Sequence, residues 1–146
     1  MVLIELIHLF STFWMVVIIW FVQIVHYPLF LEVPIESSNT YFKKHQSLIS
    51  YLVMPGMLVE GASLTYLLIY TFLSEPGVHF TLTFSVILLI LIWASTFLIQ
   101  VPCHLKLTQT PSRETLSYLI KSNWIRTILW STKLIFTMVY TKEVVL

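Results

Sequence analysis

The sequence predicts an all-α integral membrane protein, a four-helix up-down bundle formed as a single transmembrane domain over 1–146. Two compositional observations lead there. The chain is 58% hydrophobic and only 10% charged, against roughly 25% charged for an average soluble domain, and its mean hydropathy is +0.87. The third observation is spacing: polar clusters and turn signals divide the chain into apolar runs near the roughly 20 residues a helix needs to cross a bilayer. The spans fall at about 2–26, 46–73, 80–102 and 123–141, and 146 residues leave no room for a separate soluble domain.

The first run lacks a basic leader and a small-residue cleavage site and is longer than a signal core, so it reads as a retained helix. Tyr27-Pro28 is expected to end it, because the residue before proline disfavours helical geometry. A loop with Pro34, Glu36, Ser37 and Ser38 follows. Asn39 or Thr40 is expected to cap the second helix, which carries Lys43, Lys44 and His45 before its apolar stretch. Pro55 removes a ladder hydrogen bond and predicts a bend just before Glu60. Ser74-Glu-Pro-Gly77 reads as a turn, and His79 opens the third run. Beyond Lys106 the chain turns polar; Thr110 is expected to cap the next helix with Pro111 as its first residue. An amphipathic segment over 114–122 precedes the fourth span.

Lys43, Lys44, Lys106, Arg113 and Lys121, with Arg126 just inside, fall on one side of this topology, and Lys142 on the other. The positive-inside rule therefore predicts cytoplasmic first and third loops, with both termini on the non-cytoplasmic side of what is expected to be a bacterial inner membrane. A formal net charge of +1 is not the clustered basic surface that nucleic acid requires, so no nucleic-acid partner is expected. The lone Cys103 forms no intramolecular disulfide.

Polar residues inside the apolar runs carry the functional signal. In Trp93-Ala-Ser-Thr-Phe-Leu-Ile-Gln-Val-Pro-Cys-His104, the side chains of Trp93, Thr96, Gln100 and His104 share one helical face. Unpaired polar groups are costly in lipid, so this stripe is expected to face other helices or a cavity. Up-down topology brings Gln23, His26, His45, Asn123, Trp124 and Arg126 to the same membrane face. His26, His45 and His104, from three helices at one depth, fit a metal site; two of them fit haem ligation; boundary histidines resting among headgroups are the plainer account. Glu60, Arg126, Gln100 and Asn123 are the catalytic candidates.

Glu60 and Lys133 lie near the centres of the second and fourth spans, where an ionisable group needs a partner. They are candidates for each other, with Arg126 as an alternative for Glu60, since Asn123, Arg126, Trp130 and Lys133 form one stripe. Such a pair either fixes helix register or supplies a buried base or proton relay. His8 and His79 fall at the opposite boundary, as separate interfacial residues or a second pair. Trp14, Trp20, Trp93, Trp124 and Trp130 divide between interfacial belt and core.

Two family resemblances rest on these residues. Glu5-Leu-Ile-His8, His26-Tyr27-Pro28, Phe42-Lys-Lys-His45, Met54-Pro-Gly-Met57 and Gly61 make the first half similar to the small haem-carrying bacterial membrane protoporphyrinogen oxidases; that family's Leu-Pro-Arg segment is absent, and His8 is the position carried over. Gln100-Val-Pro102, His104 and Asn123-Trp-Ile-Arg126-Thr resemble the anthrone-oxygenase-like family of small four-span proteins. Both resemblances imply membrane redox chemistry.

The functional expectation is a membrane-embedded oxidoreductase acting on a hydrophobic small molecule that enters from lipid. A haem or transition metal on His26, His45 and His104 is its expected cofactor, and the histidines acting as bases the alternative. Arg126, Gln100 and Asn123 would hold a polar substrate group, and Glu60 would handle protons. The alternative class is a small proton or ion transporter, channel or accessory subunit built on the Glu60–Lys133/Arg126 pair, with homo-oligomerisation needed for a pore.

Overall fold

The structure, a computed structural model, describes residues 2–35, 38–74 and 80–145. Among them it is helical almost throughout, in four long helices: α1 (Val2–Phe30), α2 (Ser38–Ser74), α3 (Phe80–Gln109) and α4 (Arg113–Val145). The 37 residues of α2 make it about 55 Å long at about 1.5 Å per residue. Helix α1 lies along α2 and α4, and α3 along α4. Each pair is antiparallel: His8 meets Ser63 while His26 meets His45, Gln23 meets Asn123 while His8 meets Lys133, and Gln100 meets Ser122 while Thr81 meets Glu143. Helices α2 and α3 touch mainly where Val101–Gln109 reaches α2.

Both α1 and α3 depart from their expected ends. Helix α1 continues past Pro28 to Phe30, and α3 continues past its expected end near residue 102 to Gln109. One device explains both. A π turn, Val22–His26 in α1 and Thr96–Gln100 in α3, stands two residues before each proline, and the amides of Tyr27 and Val101 reach five residues back to the carbonyls of Val22 and Thr96. Interior proline removes a hydrogen bond and crowds the carbonyl four residues back; a wider turn at that point lets the helix continue. Helix α2 likewise runs through Pro55. It begins at Ser38, ahead of the expected Asn39 or Thr40.

The amphipathic segment 114–122 and the fourth span join in α4, one helix of 33 residues. Its cap is Ser112 rather than Thr110: the Thr115 amide donates to Ser112 Oγ over 3.2 Å, and the Ser112 hydroxyl donates to Thr115 Oγ1 over 2.9 Å. A serine hydroxyl in this position satisfies an otherwise unpaired first-turn amide. The segment before α4 is tied back as Arg113 donates to the carbonyls of Leu31 and Val33 beyond α1. The expected turn at Ser74-Glu-Pro-Gly77, like Glu36, Ser37 and His79, falls largely outside the described residues.

Burial is inverted relative to a water-soluble protein. Leu3, Phe10, Tyr51, Phe72, Leu73 and Leu98 are exposed, whereas Gln23, Glu60, Gln100, Asn123, Arg126 and Lys133 are buried. Helices α1, α2 and α3 are each long and apolar enough to cross a membrane. Helix α4 carries Arg126 and Lys133 in its interior-facing stripe, and those charges lower its apolarity without touching its outer face. Three apolar clusters stack along the interior: Tyr27, Phe30, Phe42 and Leu116 at one end; Met15, Met57, Ile92 and Trp130 in the middle; Leu64, Leu67, Leu82 and Tyr140 at the other.

Two glycines set how closely the helices approach. A Cβ at Gly56 would lie 2.6 Å from Met15 Sδ, and one at Gly61 would lie 3.0 Å from Trp93 Cζ2. Replacing Gly61 with leucine is expected to lower stability by about 1–3 kcal/mol through overpacking against the indole; guanidinium unfolding in detergent micelles, followed by circular dichroism, measures it.

Candidate functional site

The π turns aim the polar residues inward. Around Val22–His26, Gln23 is buried and His26 half-buried; around Thr96–Gln100, Thr96 and Gln100 are buried, with His104 one turn further along α3. From α2 comes His45, and from α4 come Asn123 and Arg126, all buried. The predicted gathering at one end of the helices is therefore present. Tyr27 joins it, its hydroxyl 3.2 Å from His104 Nε2.

Within this group the polarity of each amide is set by a main-chain carbonyl. Gln23 Nε2 donates to Ile120 O over 3.3 Å, so Gln23 Oε1 is left to accept from Asn123 Nδ2 over 2.9 Å, and Asn123 Oδ1 in turn accepts from Arg126 Nη1 over 3.2 Å. On α3 the Ser122 hydroxyl donates to Leu119 O, so its oxygen accepts from Gln100 Nε2 over 3.0 Å. Gln100 Oε1 is thereby left as a buried acceptor without a partner, as Arg126 Nε is a buried donor without one. An unmatched group of this kind costs about 1–3 kcal/mol, and both residues wall the same cavity.

That cavity has a volume of about 120 Å³. Its polar lining includes Tyr27, His45, Gln100, His104 and Arg126, and its apolar lining includes Met15, Met57, Val53 and Ile49. It lies where α2 and α3 stand apart, and Ser50, Met54, Phe97 and Val101 at its rim are exposed on the outer surface of the helices. An engineered cavity of about 150 Å³ holds a benzene molecule, so this space is of the size of a small headgroup.

The three histidines are neighbours, but not as a metal triad. His26 Nε2 and His45 Nδ1 are 2.8 Å apart and hydrogen-bonded, and the rings of His45 and His104 are 5.6 Å apart. Nitrogens bonded to one another or to Tyr27 do not converge on a common point, and among the described residues no three His, Cys, Asp or Glu side chains form a metal-holding group. The donor set does not fit the expected transition-metal centre. The cavity itself, at about 120 Å³, is smaller than the roughly 300–1,000 Å³ of a drug-sized ligand site and does not enclose a haem. His8, the position carried over from the haem-protein resemblance, has both ring nitrogens engaged.

Those partners belong to a second cluster deeper in the helices. Lys133 Nζ lies 3.0 Å from Glu60 Oε1, with both side chains fully buried. It also donates to Thr12 Oγ1 at 3.0 Å and lies 3.3 Å from His8 Nε2. The Ser63 hydroxyl is committed to the carbonyls of Val59 and Glu60, so across the 3.0 Å contact His8 Nδ1 is the donor and its Nε2 a neutral acceptor. An ammonium has three donors; two have hydrogen-bond acceptors in Thr12 and His8, and Glu60 balances the charge as an ion pair. Trp130 Nε1 donates to Glu60 Oε2 over 3.2 Å, and Arg126 stands 5.1 Å over the Trp130 ring. The indole thus separates Arg126 from Glu60, which is paired with Lys133 as the primary sequence expectation had it and not with Arg126.

His8, Thr12, Ser63 and Tyr27 complete these clusters without having been singled out for them. His8 stood out in the sequence as an interfacial residue; Thr12 and Ser63 follow from it only once its nitrogens are assigned. Tyr27 was read as a helix end, and the π turn makes it a core residue instead. Trp20 donates to Ser131 over 3.0 Å and packs edge-on against Trp124, so the boundary tryptophans brace α1 against α4.

Comparisons with family models, curated proteins and solved structures return no match.

Replacing Glu60 with glutamine is expected to cost about 3–5 kcal/mol, because it strands the buried Lys133 charge. The E60Q/K133M double variant is expected to recover most of that loss, and chemical unfolding of the single and double variants in micelles measures both. Elemental analysis of purified protein is expected to find less than one equivalent each of zinc, iron and copper per chain.

Proposed function

We propose that this chain is a membrane-embedded four-helix up-down bundle that takes a hydrophobic small molecule from lipid into the cavity between α2 and α3 and acts on it as an oxidoreductase by proton transfer. One observation carries the reading: an apolar cavity with a rim on the outer surface of the helices converges on Tyr27, His45, Gln100, His104 and Arg126 at one end of the helices. Its orientation follows the positive-inside expectation, with this end toward the cytoplasm and the bacterial inner membrane as host.

The side chains present supply acid–base and electrostatic chemistry. His104 with Tyr27 and His45 with His26 form two hydrogen-bonded pairs through which a proton can move. Arg126, positioned by Asn123, offers positive charge to an oxygen of the bound molecule in a setting that excludes water. Asn123 and Gln23 act as positioning residues, since the Asn123 oxygen holds the guanidinium and the Gln23 oxygen holds the Asn123 amide. In this scheme the electrons pass from the bound molecule to a co-substrate that accepts them, and the chain moves the protons that accompany them.

The transporter reading rests on the same buried charges. It is weakened by the arrangement around Lys133, which is hydrogen-bonded to Thr12 and His8 and ion-paired with a carboxylate that also accepts from Trp130. That pair acts as a structural pin, and Glu60 is better assigned to it than to proton handling.

Organic extraction and mass spectrometry of protein purified in lipid nanodiscs test the reading. Wild-type protein is expected to yield a hydrophobic compound near one equivalent per chain, and Val53→Trp, which fills the cavity, is expected to lose it while keeping its helical content. Equal recovery from both proteins, or none from wild type after supplying a cell lipid extract, would sink the proposal.

A further inference from the structure

The cavity holds a cation with no anion beside it. Arg126 is 7% exposed, and among the described residues no carboxylate pairs with it. The chain has seven acidic residues, all of them glutamate, and Glu60 is committed to Lys133 and Trp130. What Arg126 has instead is one amide oxygen at 3.2 Å and the face of Trp130. A buried charge costs several kcal/mol unless it is compensated, and the amide and ring supply only part of that.

The edge of the guanidinium left over has a specific shape. Nη1 is committed to Asn123, whose own orientation is fixed through Gln23 by the Ile120 carbonyl. The Nε hydrogen, buried and unmatched, lies parallel to one on Nη2, and together they form the side-on fork that accepts two oxygens of one planar anion. Carboxylate is the planar two-oxygen anion that this fork matches. The unmatched Gln100 Oε1, on a side chain 1% exposed, stands ready for the proton when the same headgroup is a carboxylic acid. From there the apolar lining of Val53, Met54 and Phe97 leads to the outer rim.

We propose that the cavity ligand is a monocarboxylate with an unbranched apolar chain, its headgroup on the Arg126 fork and its tail leaving between α2 and α3 into lipid. This rests on the reading of the cavity as a site for a hydrophobic molecule and adds the missing negative charge to it. The head is small enough for a space of about 120 Å³, and the chain needs no enclosed volume because it lies against the exposed faces of the two helices.

Dodecanoate, dodecanol and dodecyl sulfate, titrated into protein in nanodiscs of neutral lipid and followed by tryptophan fluorescence, provide the test. Dodecanoate is expected to saturate at one per chain, and dodecanol and dodecyl sulfate to bind about tenfold more weakly or less, in line with a charge-assisted hydrogen-bonded pair. Arg126→Lys, which keeps the charge and loses the fork, is expected to weaken dodecanoate about tenfold while retaining wild-type circular dichroism; Arg126→Met is expected to weaken it further. If dodecanol binds as tightly as dodecanoate, or Arg126→Lys binds dodecanoate normally, the carboxylate assignment falls and the hydrophobic-ligand reading stands. Equal binding of dodecyl sulfate overturns the fork in favour of an unselective anion site. If no probe binds wild type more tightly than Val53→Trp, both the assignment and the reading beneath it fall.

Discussion

The ammonium of Lys133 is the group around which the interior is arranged. It lies at the middle of four helices whose outer surfaces are apolar, where a charge has neither water nor headgroups to turn to. It meets Glu60 on α2 and Thr12 and His8 on α1, with Ser63 behind His8. One side chain on α4 therefore fixes the rotation of two other helices at once, and non-directional apolar packing cannot do that. Clusters of Leu, Ile and Met above and below it tolerate small slips in register. The ammonium does not, since losing any one acceptor leaves part of a buried charge unmatched.

The contrast with Arg126, two turns away on the same face of α4, separates structure from function. Both are buried cations on one helical stripe, and both are held by neighbouring side chains. Lys133 has a carboxylate as its ion partner, whereas Arg126 has an amide, an aromatic face and an unmatched Nε beside a cavity. Trp130 stands between them, donating to the first network and stacking under the second. It insulates the two charges from one another, so Arg126 keeps its capacity for an external anion even with Glu60 nearby.

Much of this could be read from the residues alone, and the reasons are physical. The all-helical class followed from composition and run length. The grouping of His26, His45, Gln100, His104, Asn123 and Arg126 followed from antiparallel topology, which puts the ends of odd helices beside the starts of even ones. Pairing Glu60 with Lys133 followed from depth. The helix ends were misplaced near Tyr27 and near residue 102 because a rule about proline that holds for α geometry does not anticipate a π turn absorbing the clash. The cap on α4 fell to Ser112 and not Thr110 because the chain extends through Pro111 before winding. The ligand set of three histidines failed on angles: spacing can bring imidazoles to one depth but does not say whether their nitrogens point at a shared centre or at one another.

The two π turns carry a consequence for how such a site comes into being. Each is an α-helix with one residue more than its hydrogen bonding requires, so deleting a residue inside 22–26 or 96–100 would restore ordinary winding while leaving the helix before and after it in the same register. The polar lining from α1 and α3 thus sits at two wider turns, each just ahead of a proline. Removing one residue from either turn changes the direction of the polar side chains while costing little outside the segment where the extra residue sits.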